Sequence, residues 1–428
     1  MPVRHPAIPP RLACAGVAML GLAAVAGASP ALARSPSPAG TSVAAPAGGG
    51  RFVVTAQRTI ELPDSRIISM SPDGAWLAIA RPALGYQRGQ LCVVAVTTLA
   101  DRACADLSGL GAGIRLEDVT WSPDGSHLAF GENALVTLKD GDLWLMDAAT
   151  GGLTNLDDDG FDGSIPLTGV PAGTTITVPT SPAFSPDGAT IAFSRTTFGA
   201  DGISNTIASV PAAGGPVTDL RTVADQPGIA YFGIGWAPDG KQLYYSIQHQ
   251  EKRDLGNGVW VMDADGSDAR LLVGRYQDSY GPTVLQVSPD GSALLLQDPD
   301  AMGRFDGQLP VYAVADAASG RPVPLLPPGE HDLPVPLVGW AGFSPDGSAL
   351  MLLLRGSDPD LQAWIREDPL GASPVDEPLL PDGLAAAGPI DRGIAPTWAT
   401  NGTLLLTGAG AFETATLLTI EDRGAAAP

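Results

Sequence analysis

Short apolar runs rich in β-branched and aromatic residues recur along the chain from residue 51, each broken by a polar turn cluster. The pattern is sharpest at VTWSPDGSHLAF (119–130) and PAFSPDGATIAF (182–193), where one apolar run enters Ser-Pro-Asp-Gly and another leaves it. Proline presets φ for a turn, aspartate accepts hydrogen bonds from backbone N–H groups just ahead, and glycine takes the φ > 0 position a hairpin demands. Such a cluster between two strand-forming runs predicts a tight β-hairpin. It occurs at residues 71–74, 122–125, 185–188, 288–291 and 344–347, with variants APDG at 237–240 and ATNG at 399–402.

The glycines of these turns, Gly74, Gly125, Gly188, Gly240, Gly291, Gly347 and Gly402, stand 51, 63, 52, 51, 56 and 55 residues apart. A repeat of roughly 40–50 residues with four short strands per unit is the signature of propeller blades. The longer spacing leaves room for extended loops. A second hairpin follows most turns, as in GDLWLMDAATGGLTNL (141–156), NGVWVMDADGSDARLL (257–272) and QLCVVAVTTLADRACADL (90–107). Two hairpins per repeat give strands A and B around the first turn, then C and D. After the seventh turn only TLLLTGAG (403–410) and ETATLLTIED (413–422) remain, while FVVTAQRTIEL (52–62) is a spare strand at the start. The expectation is an all-β, seven-bladed propeller with four antiparallel strands per blade, its last blade completed by the N-terminal strand. Six blades is the alternative count.

The SPDG hairpin followed by a VMDADG-type hairpin resembles the TolB-like, WD-repeat-like β-propeller family of exported bacterial proteins, over about residues 51–423. The resemblance implies a propeller that binds partners in the cell envelope. Two departures limit it. TolB carries an N-terminal α/β domain for which residues 34–50 are too short, and it has six blades against seven hairpins here, so its Tol-system partnership does not transfer.

Residues 1–33 read as a signal peptide: Arg4 and Arg11 ahead of an apolar stretch, then Ala31-Leu32-Ala33 as a small-residue cleavage site. Cys14 sits at the start of the apolar stretch, where a lipid-modified cysteine would have to follow it, and is no lipidation site. Residues 34–50 form a flexible linker, 51–423 the propeller and 424–428 a tail, in a periplasmic or secreted monomer with no membrane span in its mature form. The two remaining cysteines, Cys92 and Cys104, mirror each other about Thr98 and are expected to form a disulfide in an oxidising compartment. A formal net charge of −22 argues against nucleic-acid and anionic-membrane partners.

A search for catalytic motifs is negative. G-x-S-x-G, H-E-x-x-H and C-x-x-C are absent, and the G-x-x-x-x-G-K match at 235–241 is the turn of the fourth repeat, with Gln242 where a P-loop needs Ser or Thr. The aromatics before the turns, Trp121, Phe184, Trp236, Phe343 and Trp398, are expected between blades, as are Trp144 and Trp260. In the longest interval, Asn155, Asp157, Asp159 and Asp162 place oxygen at alternate positions around Gly160, a calcium-type pattern, although Pro166 stands where an EF-hand needs its bidentate acid. The reading is a solvated acidic loop and no cofactor, with a Ca²⁺ site as the alternative. The D–A and B–C loops share one face, which holds Tyr231, Phe232, His249, Arg253, Arg275, Tyr276, Tyr280, Arg304 and His331; Tyr and Arg are common binding anchors. The reading is a non-enzymatic module binding an envelope or extracellular protein or small ligand. The alternative is a propeller enzyme of lyase or lactonase type, with His249, Asp278, His331 and Asp332 at the channel mouth.

Overall fold

The computed structural model describes residues 51–82, 89–110, 119–132, 140–160, 175–199, 202–223, 230–249, 254–275, 280–297, 312–325, 337–355, 362–371, 374–379, 397–408 and 411–424. They form seven four-stranded antiparallel sheets and no helix. Blade one is Arg66–Met70, Trp76–Arg81, Gln90–Ala95 and Asp101–Asp106; blade two is Thr120–Trp121, His127–Gly131, Leu143–Asp147 and Leu153–Asn155. Blade three is Ile176–Phe184, Thr190–Gly199, Gly202–Pro211 and Thr218–Val223, and blade four is Ala230–Trp236, Gln242–Gln248, Gly258–Asp263 and Arg270–Gly274. Blades five and six repeat the order from Thr283–Val287 and Leu337–Phe343. In blade seven, Thr397–Trp398, Thr403–Gly408 and Ala411–Asp422 supply three strands, and the N-terminal strand Phe52–Glu61 is the fourth. Its pairing with the last strand runs from Phe52 opposite Asp422 to Glu61 opposite Thr414. The expected closure is therefore present, and seven blades replaces the six-blade alternative.

Five turns repeat one hydrogen-bond code. In the second, the Ser122 hydroxyl donates to Asp124 Oδ1 (2.7 Å) and accepts from the His127 N–H (2.9 Å), while the Ser126 N–H donates to Asp124 Oδ1 (3.0 Å). The same serine–aspartate bond recurs at Ser71, Ser185, Ser288 and Ser344. The donors around Asp124, led by the Ser122 hydroxyl, hold its carboxyl down at about 2. Gly74 has φ +71°, and a Cβ there would lie 2.5 Å from the Asn401 side chain of the preceding blade's turn. The turns nest around the ring in the same sense: Gly188 faces Pro123, and Gly240 faces Pro186.

The core is not central. Seven hydrophobic clusters lie one between each neighbouring pair of blades, because each sheet is apolar on both faces and can bury them only against the sheets beside it. The aromatics before the turns stitch these layers. The indole N–H of Trp121 donates to Ser69 Oγ (3.2 Å) of blade one, and that of Trp236 to the Ala183 carbonyl (3.0 Å) of blade three. Within blade seven, Trp398 meets Phe52 edge-to-face at 5.5 Å.

Cys92 and Cys104 stand directly opposite in blade one's C–D pair and are joined by a disulfide. The bond closes a short loop in a blade whose neighbour is the N-terminal strand. Replacing both cysteines by serine is expected to cost about 3 kcal/mol through the freed unfolded chain. Urea unfolding of the variant against the oxidised protein measures it.

Candidate functional site

The D–A and B–C connections emerge on the face opposite the SPDG turns. At the junction of blades two and three this face carries a cluster of buried acids. Glu132 follows strand B of blade two, Asp140 and Asp142 lead into strand C, and Asp157 follows strand D. Their exposures are 4%, 5%, 5% and 7%. Such groups are rarely buried unless paired.

Each of the last three carboxylates is tethered by one oxygen. Asp140 Oδ1 accepts from the Thr177 N–H (2.7 Å) at the start of blade three, and Asp157 Oδ1 accepts from the Leu143 N–H (2.6 Å). Asp142 Oδ2 accepts from Asn155 Nδ2 (2.8 Å). The other oxygens, Asp140 Oδ2, Asp142 Oδ1 and Asp157 Oδ2, are buried with no hydrogen-bond partner, as is the Thr177 hydroxyl. Glu132 Oε1 accepts from the Trp144 indole (2.9 Å). The backbone locks the segments together, with Gly141 N–H bonded to the Thr177 carbonyl and Leu156 N–H to the Leu143 carbonyl.

Burial pushes the Asp140 carboxyl up to about 8, and the charges of Asp159, Asp142 and Asp157 push the same way against the Thr177 hydrogen bond. Asp142 rises to about 7 by burial, with Asp157 and Glu132 adding to it. Asp157 rises to about 6 by burial, opposed by the Leu143 amide and by Arg195. Arg195 itself is ion-paired with Asp219. This is a patch of carboxyl groups able to take up or release protons near neutrality, or to accept a positive charge.

The sequence-predicted residues fall in several places. Asn155 and Asp157 join this cluster, but Asn155 spends its amide on Asp142 and its Oδ1 on the Asp157 N–H (3.2 Å). Asp159 acts on Asp140 and Asp157 through its charge. Asp162 lies outside the described residues, and among those described no three His, Cys, Asp or Glu side chains are grouped so that they could hold a metal ion. Tyr231 and Phe232, expected in a loop, sit inside strand A of blade four opposite Ile247 and Ser246, because that strand extends past its bulge to Ala230. Asn257 brings His249 and Arg275 together: its Oδ1 accepts from the His249 N–H (2.6 Å) and its carbonyl from the Arg275 N–H (3.1 Å). His249 Nδ1 stands 3.7 Å from Asp254 Oδ2. Tyr280 opens the approach to blade five, and Arg253, Tyr276, Asp278, Arg304, His331 and Asp332 lie outside the described residues.

No family model and no curated protein sequence matches this chain. Solved structures do. An oligogalacturonate lyase in complex with manganese is similar at TM-score 0.57 and 15% identity, over 85% of this chain and 93% of that one. The oligogalacturonate lyase from Vibrio parahaemolyticus gives TM-score 0.53 and 14% identity over 86% and 96%. The β-propeller domain of Cps50 (Swd1) from Myceliophteria thermophila gives 0.50 and 13% over 85% and 99%. At these identities the likeness establishes the propeller fold. It also corrects the expectation of a non-enzymatic protein, since two of the three are enzymes on this fold. The missing motifs were a poor argument: a propeller can gather reacting groups from separate blades, so no short contiguous pattern need mark them.

Proposed function

We propose that this protein is an exported β-propeller of the TolB-like, SPDG-repeat kind that recognises a ligand of the cell envelope or extracellular medium on its D–A and B–C face. The observation that carries the reading is the acid cluster on that face, whose buried, unpartnered oxygens are costly to keep without a function. The basic-then-apolar stretch at residues 1–33 and the Cys92–Cys104 disulfide support export. A photo-crosslinking residue at Leu255, exposed on the B–C connection of blade four, is expected to capture an envelope or medium component. The same residue at Lys241, on the SPDG face, is expected to capture nothing. Equal capture from both positions, or none from Leu255, rejects the face.

A lyase reading has its own support: Asp140 and Asp142 sit near the pKa range useful for proton transfer, and oligogalacturonate lyases share the fold. Incubation with oligogalacturonate, with and without Mn²⁺, tests it through the ultraviolet absorbance of an unsaturated product. Product formation that survives Asp142→Asn would detach the chemistry from this cluster.

A further inference from the structure

We propose that the Cys92–Cys104 disulfide is a thiol-exchange site with a fixed direction: an external thiol attacks Cys104, and Cys92 leaves as a thiolate held by Arg81. The inference is independent of what the D–A and B–C face recognises. Its first support is the unequal exposure of the two cysteines. Cys104 is half-buried on strand D, the outermost strand of blade one, whereas Cys92 on strand C is wholly buried at 0% exposure. Exchange depends on which sulfur an incoming thiolate can reach, and of the two Cys104 is the one at the rim. The second support lies at the buried sulfur, where Arg81 Nη1 donates to Cys92 Sγ at 3.8 Å.

Asp101 fixes that guanidinium through two hydrogen bonds (2.8 and 2.9 Å), and Ser65 Oγ accepts from its Nε (3.2 Å). The donor is therefore aimed at Cys92 before any thiolate forms. Its bond strengthens when the sulfur becomes an anion, and a better-stabilised thiolate leaves faster. Asp101 offsets part of the cationic charge, so Arg81 acts more as a directed N–H donor than as a full charge. The co-reactant is a protein dithiol. Its first thiolate bonds to Cys104 Sγ as the Sγ–Sγ bond breaks, and the bonding pair goes to Cys92, which takes a proton. Its second thiolate attacks the first sulfur of the dithiol in the mixed disulfide and releases Cys104, which is protonated in turn. The protein disulfide gains two electrons and two protons, and the dithiol loses the same and closes to a disulfide. The pair lies in the hydrophobic layer between blades seven and one, together with Ile60 and Leu62. Reduction thus removes the covalent tie of strand D to strand C beside the seam that closes the ring.

Oxidised mature protein is incubated with reduced glutathione, quenched with N-ethylmaleimide and mapped by mass spectrometry. Glutathione is expected on Cys104 and maleimide on Cys92. Glutathione on Cys92, or divided equally between the two, would overturn the proposal. So would a disulfide that resists glutathione in the folded protein but exchanges in urea. Arg81→Gln is expected to slow exchange about fivefold, with Cys104 still the attacked sulfur. A merely structural Arg81 predicts the opposite, since loosening the blade exposes the bond and speeds its reduction. Arg81→Lys, which keeps a cationic donor, is expected to recover most of the parent rate. Exchange in Arg81→Gln as fast as in the parent, or faster, would also overturn the assignment. Should that variant not fold, the map of the parent protein decides by itself.

Discussion

A chain that begins at residue 65, lacking the strand Phe52–Glu61, is expected to show no cooperative melting and to aggregate. That strand buries Phe52, Val53, Val54 and Ile60, and Leu62 follows it into the core. Each contributes about 1.5–3 kcal/mol as an upper estimate. Their sum approaches the entire stability of a domain, about 5–15 kcal/mol. Removal also leaves Ala411–Asp422 as a long bare edge, which invites pairing with another chain. A milder version tests the clamp alone. Arg51 makes two hydrogen bonds to Asp422 (2.8 and 2.7 Å) and a third to Asp346 (3.1 Å), and stacks over Phe52. Arg51→Ala is expected to cost about 1 kcal/mol, because the pair is only half-buried. Circular dichroism melts of both forms decide. Native-like melting of the shortened chain would mean that three strands suffice for blade seven.

The intact protein is expected to lose stability as pH rises from about 4 to about 8. Asp140, Asp142 and Asp157 have folded pKa values raised to about 8, 7 and 6, so the folded state holds protons that the unfolded chain has released. Stability therefore falls with pH across that window and is level below about 4, where both states are protonated. One unit of raised pKa corresponds to about 1.4 kcal/mol, and the three raised carboxyls act in the same direction. Asp140→Asn keeps an acceptor for the Thr177 N–H and should flatten the slope and raise Tm at pH 8. The turn aspartates work in the other direction. Asp124, held down to about 2, stabilises the fold above about pH 4 and loses that contribution as pH falls towards 2. The two sets together place the maximum near pH 4–5. Melting across pH checks this; a curve that rises steadily to pH 8, or an Asp140→Asn variant parallel to the parent, would contradict the account of the cluster.

The fold was legible because its code is local. Pro, Asp and Gly specify each hairpin within four residues, and the structure uses those same atoms: the aspartate oxygen accepting from the amide two residues on, the glycine at positive φ. The count of seven and the closing strand followed from repetition, and the disulfide from the mirror placement of Cys92 and Cys104. The acid cluster was not legible. Glu132, Asp140, Asp142, Asp157 and Thr177 follow one strand, precede a second, follow a third and open the next blade, so only the folded sheet of blade two and its packing against blade three bring them together. The pair Asp140-Gly141-Asp142 before a buried strand was a usable hint, since few sequences place two acids where a chain is about to enter a core. Alternate acids at 155–162 drew attention instead, and only part of that pattern points inward. Tyr231 and Phe232 were misplaced for another reason: where strand A ends is decided by its partner, Gln242–Gln248, not by its own composition.

The closure strand also fixes how the molecule carries load. Phe52 lies opposite Asp422, so both ends of the propeller leave from the same end of one antiparallel pair. Tension applied between the termini would peel that pair like a zipper, breaking rungs one at a time rather than shearing them together. The Arg51–Asp422 contact is the first to bear the strain. Anchored by one terminus the ring is unstressed; held by both, it opens at its seam inside blade seven while the sheets of the other six blades are still intact.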